Sequence, residues 1–332
     1  MHHTTGRHQL GLAITAAVAV GVAMTGSAAA AEPIGSSGVS ADTLTVVGTQ
    51  GADQLALRLA PGDPSTLQVD FGDDGSPDQT FNRSTFSHID VFLLSGSDEF
   101  RVDQINGTFA DDPVTVDAGR GDDIVATGAG NDRVLGGPGD DAVDGNGGVD
   151  SAVLGSGQDT FTWDPGDGSD AVDGGRGNDA LVFNGAGGAE TMRLSAEGTS
   201  SLFLRDPGAI RMDMHGVEVL DLAALGGADS ITVDDLSGST FRAANLDLTA
   251  GGAGDGDLVT VTGSEAADAI SVGADDGHVD VDGLTADVQI IGSEADNDHL
   301  QVNARGGDDE VDVSQAVADL IGISVDLGPG QL

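Results

Sequence analysis

Seven aspartates, Asp123, Asp132, Asp141, Asp150, Asp159, Asp170 and Asp179, mark the middle of the chain, and the first five are nine residues apart. Each has Gly two and four residues before it, with one exception, Asn146 before Asp150. Asp beside Gly belongs in tight turns and in sites built from oxygen ligands. The chain has no Cys, which excludes disulfides, thiolate zinc sites and a thiol nucleophile. The chemistry on offer is that of carboxylate oxygens.

These aspartates sit in nine-residue units starting at 118 (AGRGDDIVA), 127 (TGAGNDRVL), 136 (GGPGDDAVD), 145 (GNGGVDSAV), 154 (LGSGQDTFT), 165 (PGDGSDAVD) and 174 (GGRGNDALV). Trp163-Asp164 interrupts the period once. Position 8 is apolar throughout: Val125, Val134, Val143, Ala152, Phe161, Val172 and Leu181. Six Gly- and Asp-rich residues therefore make a turn and three make a short strand. Strand alternation points only the position-8 side chain inward. Two units give a coil of eighteen residues with a turn on each side. Asn146 falls where glycine supplies positive φ, and Asn replaces Gly best there.

At this density the pattern resembles the repeats-in-toxin (RTX) family of calcium-binding nonapeptide repeats, G-G-x-G-x-D-x-U-x. The resemblance covers residues 118–182, about a fifth of the chain. It implies an all-β fold, a parallel β-roll or β-helix solenoid, with Ca²⁺ held between successive turns on the same side. It assigns carboxylate ligands to Asp123, Asp141, Asp159 and Asp179 on one edge and to Asp132, Asp150 and Asp170 on the other, completed by loop carbonyls. Electrostatics points the same way. Coils stack ~4.8 Å apart, and stacked carboxylates at that spacing repel by ~3.5 kcal/mol per pair at an effective dielectric of about 20. Oxygen-only donors suit Ca²⁺ rather than zinc or copper, and Mg²⁺ keeps its waters. The competing reading is a metal-free solenoid with solvated Asx turns.

Composition narrows the function further. The 332 residues carry 56 acids, 48 of them Asp, against twelve Arg and no Lys, a net charge of −44. Such a charge repels phosphate backbones, so nucleic acid is excluded as a partner. A hydrophobic fraction of 39% is too high for a disordered acidic tail. Aromatics at 3% leave little for a large globular core, which a solenoid does not need. Arg7, an apolar run from Leu10 to Met24 and small residues to Ala31 read as a signal peptide over 1–31. Cleavage removes one base and no acid, leaving −45, and predicts a secreted protein without a transmembrane segment.

Three further regions follow: an N-terminal solenoid-like region over 32–117, the calcium roll over 118–183 and a C-terminal β-rich region over 184–332. The flanks hold degenerate Gly-x-Asp turns at Asp53, Asp98, Asp229, Asp268, Asp298 and Asp309, which are read as turns and left out of the metal set. Within 191–222, Ile210, Met212 and Met214 alternate with Arg211, Asp213 and His215, as in a half-buried sheet. The polar set Arg205, Asp206, Arg211, Asp213 and His215 reads as its solvated face. Segments 32–42 and 72–80 read as linker and loop.

No H-E-x-x-H, G-x-S-x-G or phosphate-binding loop occurs, and His88, His215, His278 and His299 are scattered. The expected function is a non-catalytic calcium-binding protein of the cell exterior, with a cell surface or polysaccharide as possible partner. Its folding would be coupled to Ca²⁺, and its role surface association, adhesion or calcium sequestration. The alternative is a calcium-dependent, lyase-like enzyme acting on polysaccharides.

Overall fold

The computed structural model describes residues 35–249 and 254–329; the leader expected over 1–31 lies outside them. The described residues form two sheets of 14 strands each, and the chain passes back and forth between them. In the middle of the molecule the first sheet contains Val114–Asp117, Arg133–Pro138, Ser151–Gly157 and Ala171–Gly177. The second contains Ile124–Ala126, Ala142–Asp144, Thr160–Trp163 and Ala180–Asn184. All these neighbours pair parallel. This is the β-roll solenoid that the nine-residue period predicts.

Register follows the period. Val116, Val134 and Ala152 stack at steps of 18 residues in the first sheet, and the next step, to Val172, is 20. Val125, Val143, Phe161 and Leu181 stack in the second sheet. All eight are buried and form the core between the sheets. The position-8 side chain is the inward residue common to every unit, and Ser151–Gly157 buries Leu154 beside Ala152 as well, which the period alone does not predict. Strands outside the array also bury two, such as Ile89 with Val91 and Phe100 with Val102. In the first sheet the strands run beyond the predicted three residues, because Gly137, Gly155 and Gly175 continue the pairing. Close stacking makes glycine necessary: a Cβ at Gly121 (φ +122) would lie 1.3 Å from the Gly96 carbonyl oxygen. Asn146 stands at φ +52, as its place in the unit predicts.

The two residues that break the period are absorbed by one longer coil. Trp163 is buried, stacks on Phe183 with ring centroids 4.1 Å apart, and donates its indole N–H to the Gly168 carbonyl at 2.8 Å. Beyond it, each sheet takes in one antiparallel meander. Thr191–Glu197, Ser200–Asp206 and Ile210–His215 lie inside the first sheet. Ala269–Asp275, His278–Asp282 and Asp287–Ile291 lie inside the second. Parallel stacking resumes on the far side of both, and the second sheet ends at the other pole in a further meander, Gln54–Ala60, Asp63–Phe71 and Gln79–Asn82.

One expectation is corrected. Within the segment read as linker, Ser36–Ser40 is a strand paired antiparallel with Thr43–Val47. Ala41 and Asp42 both take positive φ, which makes the two-residue turn that joins such strands. Among the described residues the helices are short 3₁₀ turns, such as Arg83–Thr85 and Gln315–Asp319, and none is long and apolar enough to cross a membrane.

Candidate metal centre

The turns between sheets bring the repeat aspartates into two ladders, one on each edge of the solenoid. In each rung a carboxylate reaches back one coil and accepts a backbone N–H. On the first edge the N–H of Asp98 donates to Asp123 Oδ1, Asp123 to Asp141, Asp141 to Asp159 and Asp159 to Asp179, at 2.7 to 2.9 Å. On the second edge Val114 donates to Asp132, Asp132 to Asp150 and Asp150 to Asp170, at 2.7 to 2.8 Å. All seven sequence-predicted aspartates are buried, and their grouping into edges follows the alternation of units.

The ladders run well past the array. On the first edge Asp53 donates to Asp98, and Asp179 donates to Glu218 Oε2. On the second edge, beyond the meander, Glu190 donates to Asp229, Asp229 to Asp257 and Asp257 to Asp298. Asp268 donates to Asp309. Glu190, Glu218 and Asp257 were not singled out by the sequence. The two Glu lack the Gly-x-Asp signature, whereas Asp257 follows Gly254-Asp255-Gly256 and was legible.

The second carboxylate oxygen sorts most of these residues into two kinds. In Asp53, Asp132, Glu190, Asp268 and Asp298 it accepts the N–H of the residue four earlier, at 2.5 to 3.0 Å, which closes the turn without further help. In Asp98, Asp123, Asp141, Asp150, Asp159, Asp179 and Asp229 the Oδ2 is buried and has no hydrogen-bond partner. A buried oxygen carrying charge and lacking a donor is costly. Burial accordingly pushes Asp123, Asp141, Asp159 and Asp170 up to about 6, and the adjoining carboxylates add to it. Asp150 is pushed up to about 8 and Asp229 to about 7 by the same causes. Burial also raises Asp98, Asp132 and Asp179.

These oxygens suit a hard cation of the size of calcium, which takes carboxylate and carbonyl donors in a loose shell. Among the described residues no group of three or more His, Asp or Glu side chains is preassembled around one point. The remaining donors must come from turn carbonyls and water, which is ordinary for Ca²⁺.

The rest of the polar set does other work. Arg211 pairs with Asp213, and His215 lies 3.2 Å from Asp173, all exposed on the outer face of the first sheet. Arg205 turns inward instead: it pairs with the buried Glu190 and covers the Trp163 ring at 5.3 Å. The histidines stay apart, His88 against Thr115 and His299 against Ser324.

Comparison with known proteins agrees with this geometry. The RTX calcium-binding nonapeptide repeat matches in four copies, at residues 103–134, 117–152, 127–161 and 166–181. The segment spanning 103–181 is thus an RTX repeat array, and such repeats bind Ca²⁺. No curated protein was found to match the chain.

Proposed function

We propose that the chain is a secreted, non-catalytic calcium-binding protein whose fold is completed by Ca²⁺ outside the cell. The observation that carries this is the row of buried Oδ2 atoms without donors at Asp123, Asp141, Asp159 and Asp179 on one edge of the roll, with Asp150 on the other. Asp123, Asp141, Asp159 and Asp179 serve as ligands on one edge, and Asp150 and Asp170 on the other. Asp132 joins them by giving up the Gly128 N–H that now occupies its Oδ2. Bound calcium supplies positive charge to carboxylates that otherwise face only one another. The carboxylates orient themselves beforehand, because each Oδ1 is already tied to the coil behind it.

Free calcium is scarce in cytosol and abundant outside, and extracellular modules bind it at ~0.1–1 mM. In cytosol the array repels itself and resists folding, which suits export. Outside, binding energy becomes folding energy. An independent site at a hundredfold excess over its Kd contributes about 2.7 kcal/mol. The folded solenoid then acts in surface association, adhesion or calcium sequestration, toward a cell-surface or polysaccharide partner.

Asparagine substitutions test the ligand set. Asp141→Asn keeps the acceptor for the Asp123 N–H and removes the charge. It is expected to shift the midpoint of calcium-induced folding upward by roughly tenfold. Asp213→Asn, the same charge change on the exposed face, is expected to leave the midpoint within about twofold. Equal midpoints for the two variants would remove Asp141 from the ligand set.

A further inference from the structure

Outside the repeat array, the second-edge ladder passes through a small polar cleft between the coils near Asp229 and Asp257. The cleft has a volume of about 60 Å³ and is lined by Asp229, Asp255, Asp257, Glu294 and Asp298, with no Arg or His among the described residues around it. One water needs about 10–15 Å³ of such space, so a cation and a few waters fit. The turn residues around the cleft are held in place by these acids. Gly227 N–H donates to Asp255 Oδ2 and Gly254 N–H to Glu294 Oε2, both at 3.0 Å.

The acids differ in what they still need. Asp298 is complete: its Oδ1 accepts from Asp257 and its Oδ2 from Glu294. Asp229 is not. It is 2% exposed, its Oδ1 accepts the Glu190 N–H at 2.8 Å, and its Oδ2 has no partner. Its carboxylate neighbours are Asp257, Glu190 and Asp255, and of these Glu190 is already neutralised by Arg205. The same half-satisfied state distinguishes Asp123, Asp141, Asp150, Asp159 and Asp179 in the array. Here it recurs about fifty residues beyond the last RTX match, in coils of 28 and 41 residues rather than 18.

We propose that Asp229 anchors a separate Ca²⁺ site in the C-terminal half of the solenoid, toward which Asp255 and Asp257 close from the cleft wall on binding, since no three acids among the described residues are preassembled there, and which turn carbonyls and water complete. The site rests on the same reading of the ladder aspartates as calcium ligands. It differs in lying outside the nonapeptide array, with coil lengths that the repeat pattern does not describe. It gives the C-terminal coils their own calcium dependence, so that the whole solenoid, and not the roll alone, responds to the ion.

The test compares the full chain with Asp229→Asn and Asp255→Asn by calorimetric calcium titration, with Trp163 fluorescence recorded in parallel. Trp163 is the only Trp and lies in the array, so it reports the roll and not this site. Asp229→Asn is expected to lose one calcium equivalent, or to bind it at least ~10-fold more weakly, while the Trp163 transition is kept. Asp255→Asn, at a less buried position, is expected to weaken the same equivalent by a smaller factor. Asp229→Asn should also raise the thermal midpoint in chelator, since it discharges an acid that has no donor, and lower it in calcium. Unchanged stoichiometry and affinity in both variants, with the Trp163 transition intact, would overturn this site and leave the roll standing. Loss of any calcium response in the unmodified chain would overturn the calcium reading of the roll as well.

Discussion

At the residue scale, behaviour turns on which carboxylate oxygens have donors. A buried Asp with a raised pKa opposes folding when it is ionised. Its ordinary value is 3.8, whereas burial places Asp150 at about 8 and Asp123, Asp141 and Asp159 at about 6. The folded metal-free protein therefore holds more protons than the unfolded chain between about pH 4 and 8, and stability rises as pH falls through that window. In chelator, the thermal midpoint is expected to climb from pH 8.5 to pH 5. In saturating calcium the trend reverses, because protons compete for the same oxygens. A chelated midpoint that falls on acidification would contradict the burial of these groups. Much of this was legible in sequence: the period and apolar position 8 follow from spacing, and the Asp edges from the RTX resemblance that the spacing carries. Which oxygens are satisfied was not, since Asp132 and Asp150 occupy the same place in their units, yet only Asp132 receives an N–H from four residues earlier. Backbone approach is equally decisive at Gly121, where a side chain would strike the Gly96 carbonyl. Gly121→Ala is expected to cost about 3 kcal/mol in calcium, measured by denaturant unfolding.

At the scale of elements, the interruption at Trp163-Asp164 is a joint between a thin roll and a thicker solenoid. The array strands bury mostly small aliphatics such as Val134, Val143 and Ala152, and the cluster of Trp163 stacked on Phe183 with Phe203 tilted against it fills the wider space beyond. Phe183→Ala is expected to cost about 3–5 kcal/mol and to change the Trp163 emission, which a surface role for the aromatic would not do. Arg205 ties the first meander to this stack and neutralises Glu190. Removing Arg205 alone strands a buried acid, so Arg205→Met should cost about 3–5 kcal/mol. Adding Glu190→Gln should recover most of it, as a thermal-unfolding comparison of the single and double variants would show. The meander around Ile210, Met212 and Met214 was readable from strict alternation. Ser36–Ser40 was not, because a short polar edge strand carries no apolar face and its turn uses Ala41 and Asp42 rather than Asn-Gly.

At the scale of the whole molecule, two sheets hold the core and two edges concentrate the charge. Few strands could be assigned from the sequence of the flanks, since coil lengths vary there and the Gly-x-Asp turns recur without a period. The structure shows what those turns share with the array: the same N–H to carboxylate rung, from Asp53 on one edge to Asp298 on the other. In the proposed reading, a net charge of −44 with its buried acids gathered on two edges makes the fold depend on a counter-charge. The most direct measurement is a calcium titration of the metal-free chain, following far-UV circular dichroism and Trp163 fluorescence together. A cooperative gain of β-signal with a simultaneous change in Trp163 emission, reversed by chelator, is the predicted result. A full β-spectrum in chelator that calcium leaves unchanged would contradict it, and would make the aspartate ladders turn elements of a metal-free solenoid.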